Sequence, residues 1–196
     1  MNLTLQGWLR AVAMTVNAPS ETAERVLQYR FARPVLVQAA IVVSIANVLL
    51  LAVASMMATA TSEANTLQVT PFALALLIAG SMLIFATAIS RAGIMFGGTG
   101  SFDGALTIVI WMQAVGLTFD VAQILVMLIS PFLAVFVGIG ALMVLLRSMV
   151  HFVKTLHGFD SLGKAAAAFF IAMIGTIFAA AILMALLGIA PLGEAT

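Results

Sequence analysis

Long apolar stretches separated by short polar segments dominate this sequence. No charged residue stands between Arg33 and Glu63, and Pro34 suits the first turn of a helix. Because a helix rises about 1.5 Å per residue, about 20 apolar residues cross the roughly 30 Å hydrocarbon core of a bilayer. The pattern therefore predicts five membrane-spanning helices, at residues 34–60, 71–90, 102–119, 121–146 and 165–190.

Local signals set the predicted ends of these spans. Thr70 is predicted to be the N-cap of the second span. Asp120 is the only charge between Asp103 and Arg147, a stretch too long for one span, so we expect a tight turn at Asp120 between the third and fourth spans. Pro131 should then kink the fourth span.

Composition sets the class of protein. Of 196 residues, 64% are hydrophobic and 8% are charged, whereas soluble domains carry roughly 25% charged residues. This excludes a soluble globular protein and favours an all-α, polytopic membrane protein. The net charge of +1 and the lack of a basic tract predict no nucleic-acid partner. Because cysteine is absent, disulfides and thiolate sites are excluded.

The basic residues predict the orientation. With five spans, all eight Lys and Arg residues fall on one side of the membrane. The positive-inside rule makes that side cytoplasmic. The sequence therefore predicts a cytoplasmic N-terminus, a C-terminus outside, and a domain division into a cytoplasmic segment at residues 1–33 and a membrane domain at residues 34–196.

Apolar residues recur at helical spacing in the first half of residues 1–33. They are Leu5, Trp8, Leu9, Val12 and Val16. This predicts an amphipathic helix, which either lies on the inner leaflet or packs on the protein's own cytoplasmic loops. The sequence NAPS at residues 17–20 then breaks the chain. Ser20 can cap a second short helix, in which Glu21 and Arg25 are spaced to form an ion pair.

Polar residues inside the predicted spans are neutral. Ser44, Asn47, Gln113 and Gln123 need hydrogen-bond partners away from lipid, so they should face other helices. They either join helices to one another or line a small polar cavity. Asp120 is expected in a solvated outer turn. The lack of charge inside the spans argues against a proton-coupled pump.

Glycines crowd the segment before the third span. Gly97, Gly98 and Gly100 lack the spacing of a nucleotide-binding fingerprint and follow no predicted strand. They predict a tight turn that packs closely against neighbouring helices. Asp103, at the start of the third span, complements the helix dipole or caps the helix. Alternatively, backbone N–H groups at that helix start could bind a lipid phosphate.

The two histidines, His151 and His157, lie in the last predicted cytoplasmic loop with Asp160. Their six-residue spacing is not a common ligand spacing, so packing and helix C-capping are expected instead of a metal site. We find no nucleophile–base pair, no paired carboxylates and no phosphate loop. The sequence therefore predicts no catalytic, metal or cofactor-binding residues and no enzyme activity.

Two segments resemble the Ypt-interacting protein (Yip) family. Residues 96–106 (FGGTGSFDGAL), leading into a span with Trp111, are similar to the family's loop and third span. Residues 156–165 (LHGFDSLGKA) are similar to its loop before the last span, where a His-Gly turn and a Lys-Ala pair open the final helix. Pro19 and the short helix after it resemble the family's juxtamembrane segment.

This resemblance implies five spans and a non-enzymatic role. Eukaryotic members bind small trafficking GTPases and shape early secretory membranes. Their Asp-Leu-Tyr-Gly-Pro element does not occur in residues 1–33, and the alanine-rich, cysteine-free composition resembles the bacterial branch. The expected location is therefore a bacterial cytoplasmic (inner) membrane.

Two functions remain open. One is a scaffold that binds membrane proteins, a second copy of the chain, or lipids through its cytoplasmic face. That face would comprise the N-terminal helix and the loops at residues 97–104 and 150–164, with Gly97, Gly98, Gly100, Asp103, His157, Gly158 and Lys164 as contact residues. The other is a small transporter, channel or lipid-translocating subunit, for which a continuous polar cavity should reach Asn47 and Gln113.

Overall fold

Helices make up the whole of the regular structure in residues 4–58 and 70–186, the ranges that the computed structural model describes. Two short helices come first, α1 (Leu5–Asn17) and α2 (Pro19–Gln28). The five long helices are α3 (Arg33–Ala58), α4 (Pro71–Met95), α5 (Phe102–Ile129), α6 (Pro131–His157) and α7 (Leu162–Leu186). All five are long and apolar enough to cross a membrane, which confirms the all-α, five-span architecture.

Capping residues define the ends of α4 and α5. The Thr70 hydroxyl accepts the N–H of Ala73 at 3.2 Å, as predicted, and Pro71 fills the first turn of α4. The helix then continues beyond the predicted residue 90 as far as Met95. Ser101 caps α5 by accepting the N–H of Gly104 at 3.1 Å.

The turn between the third and fourth spans lies at Ser130, and the turn predicted at Asp120 is wrong. Helix α5 continues through Asp120 to its end at Ile129. Ser130 then caps α6, and Pro131 occupies the first turn of α6 instead of kinking a span. A residue before proline is disfavoured in the helical region, and serine is a preferred N-cap. A single aspartate such as Asp120 has neither effect, so the helix continues beyond it.

The predicted loop at residues 150–164 is mostly helical. Helix α6 extends to His157, Gly158 follows in the left-handed conformation (φ 66°), and α7 begins at Leu162. Residues 59–60 and 187–190 of the predicted first and last spans lie outside the described residues. The polar segments around Glu63 and Glu194 also lie outside them.

Packing is dense at one end of the bundle, where α3, α5 and α7 begin and α4 and α6 end. We call it the basic end, because Arg33, Arg91, Lys154 and Lys164 all lie near it. Residues 105–110 of α5 are all buried there, and α5 packs against α3, α4 and α6. Small residues such as Ala86, Ala165 and Ala168 allow the helices to approach closely. The opposite end exposes large apolar side chains, as expected of helices that face lipid.

Candidate functional site

At the basic end, the α4–α5 loop and the α6–α7 turn are joined through His157. Its side chain is 2% exposed, and its ring fits between three glycines, at positions 93, 98 and 100. A Cβ at Gly93 would overlap the ring itself, and one at Gly98 would lie 2.6 Å from the Cβ of His157. The glycines therefore provide the space that the imidazole occupies.

Hydrogen bonds fix the orientation of this histidine. The backbone N–H of Gly100 donates to Nδ1 at 3.0 Å, so Nδ1 is unprotonated and Nε2 carries the hydrogen. The N–H of Thr99 donates to the carbonyl of His157 at 3.2 Å. Phe159 stacks on the ring, with centroids 5.3 Å apart. Among the described residues, Nε2 has no hydrogen-bond partner. The backbone of Ile89 is a polar group that lies near the ring.

The remaining candidates at the basic end lie at the surface around this histidine. Gly97 and Gly158 are exposed in the left-handed region, with φ of 81° and 66°, where glycine is favoured. Lys164 is exposed in the first turn of α7. The Asp103 carboxylate accepts from Nε of Arg33 at 3.0 and 3.2 Å, while Ser101 caps the helix. This ion pair is largely solvated and contributes little to stability.

Helix α1 packs on the spanning helices through its indole and hydroxyl groups. Trp8 donates from Nε1 to the hydroxyl of Thr118 at 3.0 Å, and Trp111 donates to Thr15 at 3.1 Å. The two indole rings meet edge to face, with centroids 5.7 Å apart. The N-terminal helix therefore lies against α5, rather than on the loops or on lipid alone.

Helix α6 anchors the segment where α1 passes into α2. Arg147 donates to the backbone carbonyl of Val16 at 2.9 Å, and Ser148 donates to the carbonyl of Thr15 at 3.2 Å. One turn further along, His151 Nδ1 lies 3.0 Å from the hydroxyl of Ser20. His151 is thus bound to α2 rather than standing beside His157, and no cluster of potential metal ligands occurs in residues 4–58 and 70–186.

Three of the polar residues inside the spans are divided between two cavities. Gln113 lines a mostly apolar cavity of about 370 Å³ between α4, α5, α6 and α7. Asn47 and Gln123 line a second one of about 370 Å³, together with Asp120. Asn47 also donates to the carbonyl of Val43 at 2.9 Å. Ser44 donates to the carbonyl of Ala40 at 2.8 Å, and so it is satisfied within α3.

A scan against models of protein families finds the Yip1 domain over residues 15–184. The chain belongs to the Yip1 domain family. With five candidate spans, it is an integral membrane protein. Neither the curated proteins nor the solved structures give a match.

The two segments that resemble Yip proteins are the two that meet at His157. Gly100 belongs to the first segment and bonds to His157 of the second. Gly104 lies against Leu156, where an added Cβ would come within 2.6 Å of Leu156 Cδ1. In this Yip1 domain the glycines and the histidine therefore form one packed unit, and only the rim of that unit is accessible.

Asp120 is the residue of this Yip1 domain that the sequence pattern misplaced. It lies about 14 Å along the axis from the end of α5 at Ile129, inside a candidate span. The available signal was the Ser130-Pro131 pair, which marks a helix boundary more strongly than one carboxylate does. An ionisable side chain at such a position is costly and is a candidate for function.

Proposed function

We propose that this Yip1 domain protein is a non-enzymatic scaffold of a bacterial cytoplasmic membrane. Its basic end faces the cytoplasm and binds other membrane proteins, a second copy of the chain, or lipids. The observation that carries the proposal is the α1–α2 layer, which is anchored on α5 and α6 by hydrogen bonds such as Trp8–Thr118 and Arg147–Val16. A layer held in this way cannot reorient independently of the spanning helices, so it presents a fixed surface to partners.

The exposed rim of the basic end is the surface that partners would contact. It includes Glu24 of α2, Thr99 of the glycine loop and Asp160 of the last turn, all of them exposed. His157, Gly98 and Gly100 support this surface from beneath, since they are wholly or partly buried. The positive-inside rule supports a cytoplasmic basic end.

Photo-crosslinking in native membranes tests the scaffold. A crosslinking amino acid is placed in the full chain at Glu24, Thr99 or Asp160, and matched controls carry it at Leu128 or Phe132 of the opposite end. We expect discrete protein adducts from the basic-end positions only. If the opposite-end controls give the same adducts, or if the basic-end positions give none, the scaffold proposal fails.

A second candidate function is supported by the cavity of Asn47, Asp120 and Gln123, about 370 Å³ in volume. A carboxylate and two amides in one cavity of the spans could pass a small polar solute between helices. Asn47 and Gln113 line different cavities, so this path would have to run between α3, α4 and α5 without reaching Gln113.

Thiol labelling tests this second candidate. The chain has no cysteine, so Asn47→Cys and Gln123→Cys each report on one position. A water-filled path requires both to react with a small aqueous thiol reagent at a rate near that of an exposed control, Asp160→Cys. If both remain unreactive, the cavity is filled by lipid or closed, and transport along it is ruled out.

A further inference from the structure

A groove of about 490 Å³ lies between α1 and α2 and ends on Trp111 of α5. Residues three and four positions apart share one face of a helix, and one such face from each short helix forms a wall. The walls are Gly7, Arg10, Ala11 and Met14 of α1, and Thr22, Arg25, Val26 and Tyr29 of α2. Gly7 leaves the wall of α1 without a side chain, which widens the groove.

Two arginines in these walls have no acidic partner among the described residues. Arg10 and Arg25 are both exposed, and none of the described side chains that line the groove is acidic. The ion pair expected between Glu21 and Arg25 does not form. Instead, the Arg25 guanidinium lies against the sulfur of Met14 at 3.7 Å, which directs its charge across the groove toward α1.

Most of the remaining lining is apolar. Ala11 and Val26 of the two walls, together with Trp111, form an apolar surface that we call the floor of the groove. Phe31 stacks on Tyr29, with ring centroids 5.6 Å apart. Aromatic side chains of this kind are enriched where a membrane meets water. A ligand that fits must therefore combine a negative group for the arginines with an apolar tail for the floor.

We propose that this groove binds one anionic phospholipid. Its phosphate lies between Arg10 and Arg25, and an acyl chain lies on the floor that ends at Trp111. Arginine binds phosphate oxygens through two parallel N–H groups, and basic clusters at a membrane boundary attract anionic lipids. Lipid is present at this position because Trp111 belongs to a spanning helix and because α1 exposes Leu5 (76%) and Leu9 (49%) beside the groove.

The inference extends the proposed function by naming a lipid class, but it is tested without any protein partner. Lipid binding is measured on the purified full chain, whereas the scaffold is judged by crosslinked proteins. If lipid binding fails its test, the scaffold function is still decided by crosslinking, and the reverse also holds.

The first experiment uses the unmodified protein in nanodiscs that contain phosphatidylglycerol or phosphatidylcholine with brominated acyl chains, at equal mole fractions. Bromine quenches nearby indoles, and both tryptophans of the chain, Trp8 and Trp111, meet at the groove. We expect stronger quenching from the anionic lipid. Equal quenching by the two lipids would overturn the proposal, and this comparison does not depend on the folding of any variant.

The second experiment measures phosphatidylglycerol retained by the purified chain in detergent, by native mass spectrometry. The variant Arg10→Gln/Arg25→Gln should bind it about 30-fold more weakly, at about 1 kcal/mol for each arginine. Arg91→Gln/Lys164→Gln changes the net charge equally at exposed positions outside the groove and should bind normally. Ala11→Phe fills the floor while keeping both arginines, and it should also weaken binding.

Soluble glycerol phosphate separates a lipid site from a simple anion site. It presents the same phosphate without an acyl chain, so we expect no competition at concentrations that saturate phosphatidylglycerol binding. Full competition by glycerol phosphate, or equal loss of binding in the charge-matched control variant, would overturn the lipid assignment.

Discussion

At the scale of single residues, His157 explains why so many glycines precede α5. An aromatic ring that is fully buried between two loops requires neighbours without side chains, and Gly93, Gly98 and Gly100 satisfy that requirement. The Gly100 N–H then bonds to the ring, so that a loop amide, which would otherwise lack a partner, is satisfied inside the protein.

We predict that Gly93→Ala and Gly98→Ala each destabilise the protein by about 1–3 kcal/mol, because the added methyl group must displace the His157 ring. Thermal unfolding in mild detergent, followed by circular dichroism, measures the effect. Gly140→Ala is the matched control, since an added Cβ there meets nothing within 4 Å. It should keep or slightly raise stability, because alanine favours a helix. Equal stability of all three variants would contradict the packed histidine.

The sequence predicted part of this arrangement. Glycine clustering correctly indicated close packing at the start of α5. It could not indicate that His157 is the residue packed there, because Gly100 and His157 are joined only when α4 and α6 fold side by side. The residues next to His157 in the sequence do not indicate that its side chain is buried.

At the scale of helices, the α5–α6 hairpin shows which local signal ends a span. The distribution of charge favoured a turn at Asp120, whereas the backbone turns at Ser130. Charge determines the free energy of placing a side chain in lipid, whereas capping and proline geometry determine where a helix ends. The predicted starts of the second and third spans coincide with the starts of α4 and α5, because Thr70 with Pro71 and Ser101 supply capping signals there.

Cysteine labelling distinguishes the two turns. We predict that Ile129→Cys, 82% exposed beside the Ser130 turn, reacts faster with an aqueous thiol reagent than Val121→Cys, which is 46% exposed beside Asp120. Val121 lies well inside α5, where lipid excludes the reagent. A turn at Asp120 would instead give fast labelling at Val121→Cys, so the order of the two rates decides the question.

Docking of α1 on α5 is testable in the same way. Thr15→Val/Thr118→Val removes both hydroxyls that accept indole N–H groups and leaves two donors unpaired, each costing about 1–3 kcal/mol. We expect α1 to detach more often, so that trypsin cleaves after Arg10 faster. Thr87→Val is the control, since the exposed Thr87 bonds only to its own helix. Unchanged cleavage in the double variant would mean that α1 is held by other contacts.

Sequence periodicity had revealed that α1 has an apolar face but not what covers it. Trp8 and Thr118 are 110 positions apart, and no local pattern links them. An amphipathic helix can bury its apolar face against lipid or against protein. Here the hydrogen bonds of Thr15, Ser148 and Arg147 hold α1 against the protein.

At the scale of the whole molecule, the bundle is asymmetric. Dense packing lies at the basic end, whereas the opposite end presents large apolar side chains such as Ile129 and Phe132, 82% and 70% exposed. Composition correctly indicated a membrane protein, and the pattern of apolar stretches correctly indicated five spans. The uneven packing could not be predicted, because every span is similarly apolar in sequence.

The prediction at this scale concerns which side of the membrane the basic end faces. In a chain without cysteine, Thr99→Cys and Asp160→Cys should react with a membrane-impermeant maleimide in inside-out vesicles and not in intact cells. Both positions are exposed at the basic end, which the positive-inside rule assigns to the cytoplasm. Labelling of either variant in intact cells would show that the basic end faces outward.

The length of the α5–α6 hairpin has a consequence for the choice of membrane. Its helices have 28 and 27 residues, so each is about 40 Å long, against roughly 30 Å of hydrocarbon. A typical tilt of about 20° removes only a small part of this mismatch. The excess length must therefore project beyond the hydrocarbon at one or both ends of the hairpin. Bilayer thickness determines how much of the hairpin reaches the headgroups and water, and a thicker region of the membrane covers more of it.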